Sequence, residues 1–177
     1  MNLRPATLTD APAIANLHAT SWRFAYRGAY RDAYLDGPIF EDRARVWNER
    51  LMSLAANQHV TLAEEAGALV GFACSYGDDD AQWGTLLDNL HVHPERHRQG
   101  TGRLLLAELA SWCIQAYPGR GLYLWVLAQN DRAQRFYKAL GATDQGTKTS
   151  TPPGGGTVTA HRYVWTAEQL ESLQSLE

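Results

Sequence analysis

Leu90-His91-Val92-His93-Pro94-Glu95-Arg96-His97-Arg98-Gln99-Gly100-Thr101-Gly102-Arg103-Leu104 is the stretch on which the reading of this chain turns. A buried strand, Thr85 to Val92, ends at Pro94 and Glu95. A short basic loop follows, and two glycines open a helix. A helix start points free backbone N–H groups and the positive end of its dipole outward, which suits a phosphate. Gly100 and Gly102 let the backbone approach an anion without a Cβ in the way. Arg96, Arg98, Arg103 and His97 concentrate positive charge in a chain whose formal net charge is -3. The same residues also describe a plain helix start with a glycine turn, solvated by arginines. Two other phosphate loops are excluded. A dinucleotide fingerprint needs a third glycine where Leu105 stands, and a P-loop needs a Gly-Lys-Ser or Gly-Lys-Thr ending.

From Thr101 the periodicity is helical, with Leu106, Leu109, Ala110, Cys113 and Tyr117 on one side until Pro118-Gly119 stops it. Leu122 to Leu127 reads as a strand. Asn130 or Asp131 then caps a helix bearing Ala133, Phe136, Tyr137 and Leu140, with Gly141 closing it. Upstream, Thr9 can cap a helix through Ile14, Leu17, His18 and Ser21, and a second helix is expected over Phe40 to Leu54. Val60 to Ala63 and Leu69 to Tyr76 flank a hairpin turn at Glu65-Ala66-Gly67, and Gly77-Asp78-Asp79-Asp80 reads as an acidic turn. Pro152-Pro153-Gly154-Gly155-Gly156 before Val158 to Trp165 is either a hairpin loop or a disordered linker. The element order predicts a mixed α/β sheet with helices packed on it, in one domain over residues 1–177.

Composition narrows the classes further. Hydrophobic residues make up 45% and charged residues 20% of the 177, the balance of a folded chain. The charge of -3 supplies no overall field toward nucleic acid or an anionic membrane. Met1 to Pro5 lacks an apolar signal core, no stretch approaches the ~20 apolar residues of a membrane helix, and a cytoplasmic location is expected. Cys74 and Cys113 each lie in an apolar run. Two buried thiols are favoured over a disulfide, and no close-spaced Cys/His cluster implies a metal.

A second segment, Asn130-Asp131-Arg132-Ala133-Gln134-Arg135-Phe136-Tyr137-Lys138-Ala139-Leu140-Gly141-Ala142, follows the next strand. With it the chain resembles the GNAT family of acetyl-CoA-dependent N-acetyltransferases. That family carries [Q/R]-x-x-G-x-[G/A] after its fourth strand and N-x-x-A-x-x-F-Y-x-x-x-G after its fifth. Both motifs occur here in that order, and Leu90 to Pro94 matches the Leu-x-Val-x-Pro lead-in. Leu3-Arg4-Pro5-Ala6 and the closing Arg162-Tyr163-Val164-Trp165 extend the likeness over nearly the whole chain. The cradle departs from the pattern at His97, where the family has Gln or Arg.

The resemblance implies a mixed, mostly antiparallel sheet of about six or seven strands flanked by about four helices. It implies acetyl-CoA as the donor, with its pantetheine arm along the fourth strand where that strand splays from the fifth. Leu90 would face the thioester oxygen and Val92 would pair with pantetheine. His97, Arg98, Gln99, Gly100, Thr101, Gly102 and Arg103 would surround the pyrophosphate, with Asn130 and Phe136 also against the cofactor. Tyr137 would protonate the departing thiolate, although its spacing from Ala133 also fits a core aromatic. Asn130 would be both helix cap and cofactor contact.

Acetyl transfer to an amine needs a neutral nucleophile, a donor for the developing oxyanion and a proton for the leaving thiolate. The family's usual base positions hold Leu86 and Trp125 here. Asp88, two residues past Leu86 and so on the same face of a regular strand, is the candidate base. His91 is the alternative by chemistry, on the opposite face of such a strand. Trp22, Tyr26 and Tyr30 either line the acceptor pocket or pack the first helices onto the sheet, and packing is favoured for Trp22. The expected activity is direct acetylation of a primary amine, first of a small molecule, otherwise of a protein lysine or N-terminus. A non-catalytic acyl-CoA-binding module is the reading from another class. A homodimer is compatible with the family.

Overall fold

The computed structural model describes residues 1–175. Seven strands form one sheet in the order β1-β2-β3-β4-β5-β7-β6. They are β1 (Asn2–Pro5), β2 (Gln58–Glu65), β3 (Ala68–Asp80), β4 (Gly84–Val92), β5 (Leu122–Leu127), β6 (Thr143–Ser150) and β7 (Val158–Trp165). Every neighbouring pair is antiparallel except β4 and β5. The mixed sheet is therefore the expected one.

Six helices accompany it: α1 (Ala11–Ala25), α2 (Asp32–Leu35), α3 (Ile39–Met52), α4 (Thr101–Ala116), α5 (Asp131–Ala139) and α6 (Ala167–Gln174). The two beyond the expected four are short. α2 is one turn just beyond Trp22, Tyr26 and Tyr30, and α6 follows a Thr166/Gln169 capping box. The N-cap position of α1 is Asp10 rather than Thr9, and its carboxylate makes no cap bond to α1 but closes the single 3-10 turn that precedes it. Asp10 Oδ2 accepts from the Thr7 amide at 2.7 Å, and its other oxygen pairs with Arg4 at 2.7 Å. The hydrogen bonds from Arg4 hold this carboxyl well below the usual carboxylate range.

The helices cover both faces. α1 and α3 pack Ile14, Leu17, Trp47 and Leu51 onto Val60, Leu62, Phe72 and Cys74. On the opposite face α4, α5 and α6 bury Leu105, Leu109, Tyr137, Leu170 and Leu173 against Leu87, Leu124, Tyr163 and Trp165. Cys74 and Cys113 are both buried free thiols, one in each layer, so the sheet separates them. Burial is the first cause that raises both thiols above their ordinary value, with the charge of Asp88 adding to it at Cys74 and that of Glu108 at Cys113.

The acidic turn lies further along than its sequence suggests. β3 continues to Asp80, and the chain reverses over the next three residues, where Asp80 Oδ1 accepts from the amides of Gln82 and Trp83 at 2.8 and 3.0 Å. The proline- and glycine-rich segment is a hairpin loop between β6 and β7, closed by a Gly155 amide to Pro152 carbonyl bond of 3.0 Å. It reaches across to α2, where a Cβ on Gly154 would stand 2.5 Å from Tyr34 Cβ. No helix among the described residues is long and apolar enough to cross a membrane.

Candidate active site

β4 and β5 begin pressed together. A Cβ on Gly84 would stand 2.2 Å from the Gly121 carbonyl oxygen, so a side chain there would force the strands apart. The two strands pair only over Thr85–Leu122, Leu86–Tyr123 and Leu87–Leu124. Beyond that, β4 carries a bulge. Leu87 is opposite Ser75 and Asn89 is opposite Cys74, which leaves Asp88 without a partner. A bulge bends its strand and increases local twist. Here it coincides with the end of β4–β5 pairing, and an opening forms between the parallel strands.

The phase of the β3–β4 ladder decides which backbone groups face that opening. His93 N–H donates to the Val70 carbonyl at 2.8 Å. Alternate residues of an antiparallel strand bond to the same neighbour, so His91 and Asn89 bond to β3. Leu90 and Val92 direct their N–H and C=O groups the other way, toward the opening. Their side chains share the α4 face with Ala73 and Gly71, their partners across the ladder.

The basic loop meets the start of α4 at the outer end of this opening. Gly100 is its N-cap at φ +88°, a left-handed conformation that costs an L-residue about 1–2 kcal/mol, and a Cβ there would meet only open space. Arg98 is also left-handed, at φ +64°. The leading N–H groups of α4 have no partners within the helix. Leu104 is the first to reach back, to the Gly100 carbonyl at 3.0 Å. Gly102 faces the Phe136 ring of α5, where a Cβ would stand 3.4 Å away in ordinary contact.

Several side chains of the loop do not face outward. Arg96 is committed to Glu65 at 2.7 Å. Thr101 is buried, its hydroxyl without a partner, so only its amide is offered to a ligand. Gln99 folds back onto the Glu95 carbonyl at 3.3 Å. His97 Nε2 donates to the Val92 carbonyl at 3.0 Å, and burial followed by the charge of Arg132 lowers its pKa. It is a neutral group that occupies one lone pair of Val92, not an added cation. Arg132 is a residue the sequence reading passed over. It sits in the first turn of α5, and burial and then the charge of Arg98 lower its own pKa. Two cations close enough to disfavour one another, neither in an ion pair among the described residues, beside free helix amides fit a pyrophosphate or phosphate group.

On α5, the Asn130 side chain accepts from the Ala133 amide at 3.1 Å and caps the helix. Tyr137 is buried, its ring 5.9 Å from Trp165 and 6.3 Å from Tyr163. No hydrogen bond to its hydroxyl is found among the described residues, and burial raises its pKa, so it stays a protonated donor.

The bulge rearranges the opposite side of β4. Leu86 pairs with Tyr76 and His91 with Phe72, both on the α1/α3 face of β3. His91 is therefore on the same face as Leu86, contrary to regular alternation. Its Nδ1 is 2.9 Å from Ser21 Oγ and its ring lies 4.5 Å from His18. Burial, then the charge of Arg43, lowers its pKa to about 3. Its neighbour His18 is buried and accepts from Trp47 Nε1 at 2.8 Å, a structural histidine. Asp88 leans to the same face, where its Oδ2 accepts from Arg50 Nη1 at 2.8 Å.

Asp88 also lines a cavity of about 350 Å³ with Asp79, Leu86, Leu87, Tyr123, Trp125 and Lys148. Trp22, Tyr26 and Tyr30 form a cluster at one side, with ring separations of 5.0–5.4 Å. Trp22 is buried beneath Arg43, while Tyr26 and Tyr30 are partly buried. Burial raises the Tyr26 phenol, with further contributions from nearby Tyr30, Tyr137 and Asp88. A larger hollow of about 610 Å³ lies along α3 between Pro38 and Asn48, and none of the residues just named lines it.

A mixed sheet opened between two parallel strands, with an anion cradle at one end and an acidic cavity beside it, defines the site of an acyl-CoA-dependent transferase. Residues 13–142 match the profile of the acetyltransferase (GNAT) family, and the chain belongs to that family. It is 31% identical over 143 residues, 78% of either chain, to the uncharacterized N-acetyltransferase YuaI of Bacillus subtilis (strain 168). The fold is similar to the PaiA N-acetyltransferase of Thermoplasma acidophilum in complex with coenzyme A, with a TM-score of 0.69 and 21% identity over 93% of this chain and 98% of that one. It is also similar to YncA, a putative acetyltransferase of Salmonella typhimurium with its cofactor acetyl-CoA, at a TM-score of 0.66 and 20% identity over 94% of each. The protein is an acyltransferase, and acetyl-CoA is its donor.

Proposed function

We propose that the protein acetylates the primary amine of a small molecule by direct attack in a ternary complex, within one domain spanning the chain. The observation that carries this reading is the opening after Leu87 and Leu124, with the cradle at its outer end and the Asp88 cavity on its α1/α3 side. Acetyl-CoA supplies the acyl group as a thioester. The amides of Gln99 to Arg103, with Arg98 and Arg132, hold its phosphates, and Phe136 and Asn130 shape the adjacent wall. Val92 hydrogen-bonds the pantetheine arm, and the Leu90 amide is the donor aimed at developing negative charge.

The Tyr137 hydroxyl holds the proton that a thiolate needs on departure. Asp88 takes the proton of the incoming amine, directly or through water, with Arg50 fixing its carboxylate. Tyr26 and Tyr30 border the acceptor, and Trp22 backs them. Both cysteines are buried and raised in pKa, which speaks against a covalent acyl-enzyme. A small acceptor is favoured because Asp88 lines a cavity of about 350 Å³, and the β6–β7 loop is docked on Tyr34 rather than standing clear of the helices.

Free-thiol release from acetyl-CoA across a panel of amines and lysine peptides tests the reading, comparing wild type with Tyr137→Phe and Asp88→Asn. Turnover of small amines, lowered by either substitution, supports it. Turnover confined to peptides replaces the acceptor class, and acetyl-CoA binding with no turnover on any acceptor favours a non-catalytic module.

A further inference from the structure

Lys148 and Arg162 bring two positive charges to one indole ring. Arg162, paired across from Trp125 on β7, lies with its Cζ 4.5 Å from the Trp125 ring and 4.6 Å from the Trp83 ring. Lys148 on β6 holds its Nζ 4.1 Å from the same Trp125 ring. Neither cation has a carboxylate within ion-pair distance among the described residues. The guanidinium makes one long bond, to the Gln145 carbonyl at 3.5 Å, and its buried Nε has no partner. Lys148 is an exposed residue of β6, and partial desolvation followed by the charge of Arg162 depresses its ammonium. A buried donor without an acceptor, beside a second cation, is costly unless a ligand satisfies it.

The nearby carboxylates do not fill that role. Asp79 accepts from the Tyr123 hydroxyl at 2.5 Å, Asp80 is bound to the Gln82 and Trp83 amides, and Asp88 is bound to Arg50. Lys148 and Asp88 nevertheless line one cavity, at the end of the sheet where β4 and β5 part.

Building on the acetyltransferase reading, we infer that the acceptor is an amine that also carries an anionic group, a carboxylate or a phosphate, seated between Lys148 and Arg162 beside Trp125. Its amine end then meets Asp88. This arrangement disfavours diamines and polyamines, whose second cation would face Lys148 and Arg162. It also makes Trp125 part of the specificity surface, in place of the carboxylate some relatives of this fold carry there.

The test compares ω-amino carboxylates with one to six methylenes against their primary amides, and phosphoethanolamine against ethanolamine, with 1,4-diaminobutane as the dication. The amides have less basic amines, which favours their reaction, so a preference for the anionic partner is not an artefact of amine pKa. We expect kcat/KM at least 10-fold higher for the anionic member of a pair. Arg162→Gln and Lys148→Gln should each lower kcat/KM far more for the anionic member of a pair than for its amide, removing most of that preference, with acetyl-CoA affinity unchanged. Lys148→Gln guards against loss of folding from disturbing the Trp83–Arg162–Trp125 stack.

Calorimetric titration of the same pairs into the CoA-loaded protein separates binding from catalysis. Anion-dependent binding that Arg162→Gln abolishes supports the anion subsite even if none of these amines is turned over, an outcome that would instead sink the proposed small-amine acceptor class. Equal or better use of amides or 1,4-diaminobutane, or variants that lower both members of a pair alike, overturns the inference and leaves the acetyltransferase reading standing. Preference between carboxylate and phosphate identifies which anion the site takes.

Discussion

Asp88 Oδ2 and Arg50 Nη1 meet at 2.8 Å, joining the unpaired residue of the β4 bulge to the last turn of α3. Arg50 also reaches Asn89 Oδ1 at 3.3 Å and lies over the Trp47 ring, so the helix grips the strand where it bends. In the proposed function this carboxylate, held by Arg50 at the lining of the cavity, takes the proton of the incoming amine. Asp88→Asn keeps a hydrogen-bond acceptor for Arg50 but cannot take a proton. Its kcat should fall by about 10²-fold, within the usual range for removing a general base, with acetyl-CoA affinity unchanged. Steady-state kinetics on the best acceptor of the panel checks this, and full activity in the variant would assign Asp88 to structure alone.

Tyr137→Phe isolates a hydroxyl from its ring. The ring stays packed against Trp165 and Tyr163, and the hydroxyl it loses has no protein partner among the described residues. Stability should therefore hold within about 0.5 kcal/mol, while kcat drops about 10²-fold if the phenol protonates the thiolate. Burial raises the phenol, so its ionisation lies beyond the working range. The wild-type rate should consequently show no alkaline loss from tyrosine up to pH 10. Matched thermal melts and pH–rate profiles of the two proteins provide the check.

Much of this site was legible because its parts are backbone devices with sequence marks. Gly100 answers to a left-handed N-cap and Asn130 to a helix cap. The bulge at Asp88 left no such mark, and strict alternation put His91 on the wrong face. Lys148 and Arg162 are neighbours across the β6–β7 hairpin, but they meet Trp125 only because β7 lies between β5 and β6, a pairing that no local pattern encodes. Arg132 was in view inside the second motif, but its proximity to Arg98 depends on how α5 docks beside α4. The Thr166/Gln169 box of α6 was readable and passed over.

Arg98 and Arg132 repel each other in the free protein, and a bound phosphate converts that repulsion into two favourable contacts. Arg98→Gln and Arg132→Gln should each weaken acetyl-CoA binding about 5- to 10-fold, which is about 1–1.4 kcal/mol. Acceptor KM should change little. The wild-type affinity should fall with added salt, and less steeply in either variant. Calorimetry at two salt concentrations measures both effects, and unchanged affinity in both variants would remove them from the cradle.

His91 gives the protein a stability that depends on its staying neutral. Its folded pKa is depressed to about 3 from an ordinary 6.5, with burial as the first cause, and buried His18 is shifted the same way. In the unfolded chain both take up protons near their ordinary value. Above pH 6.5 both states are neutral and the contribution is intact. As pH falls from 6.5 toward 3 the unfolded state binds protons that the folded state refuses, and stability is lost. The loss per histidine approaches about 1.4 kcal/mol per pH unit. His91→Gln retains a partner for Ser21 without the titration, so its melting temperature should fall less steeply than wild type between pH 7 and pH 4.5. The acid titration of Asp10, held low by Arg4, acts in the same direction but is common to both proteins and cancels in the comparison. Parallel melting curves for variant and wild type would show that His91 is not titrated on unfolding as its burial requires.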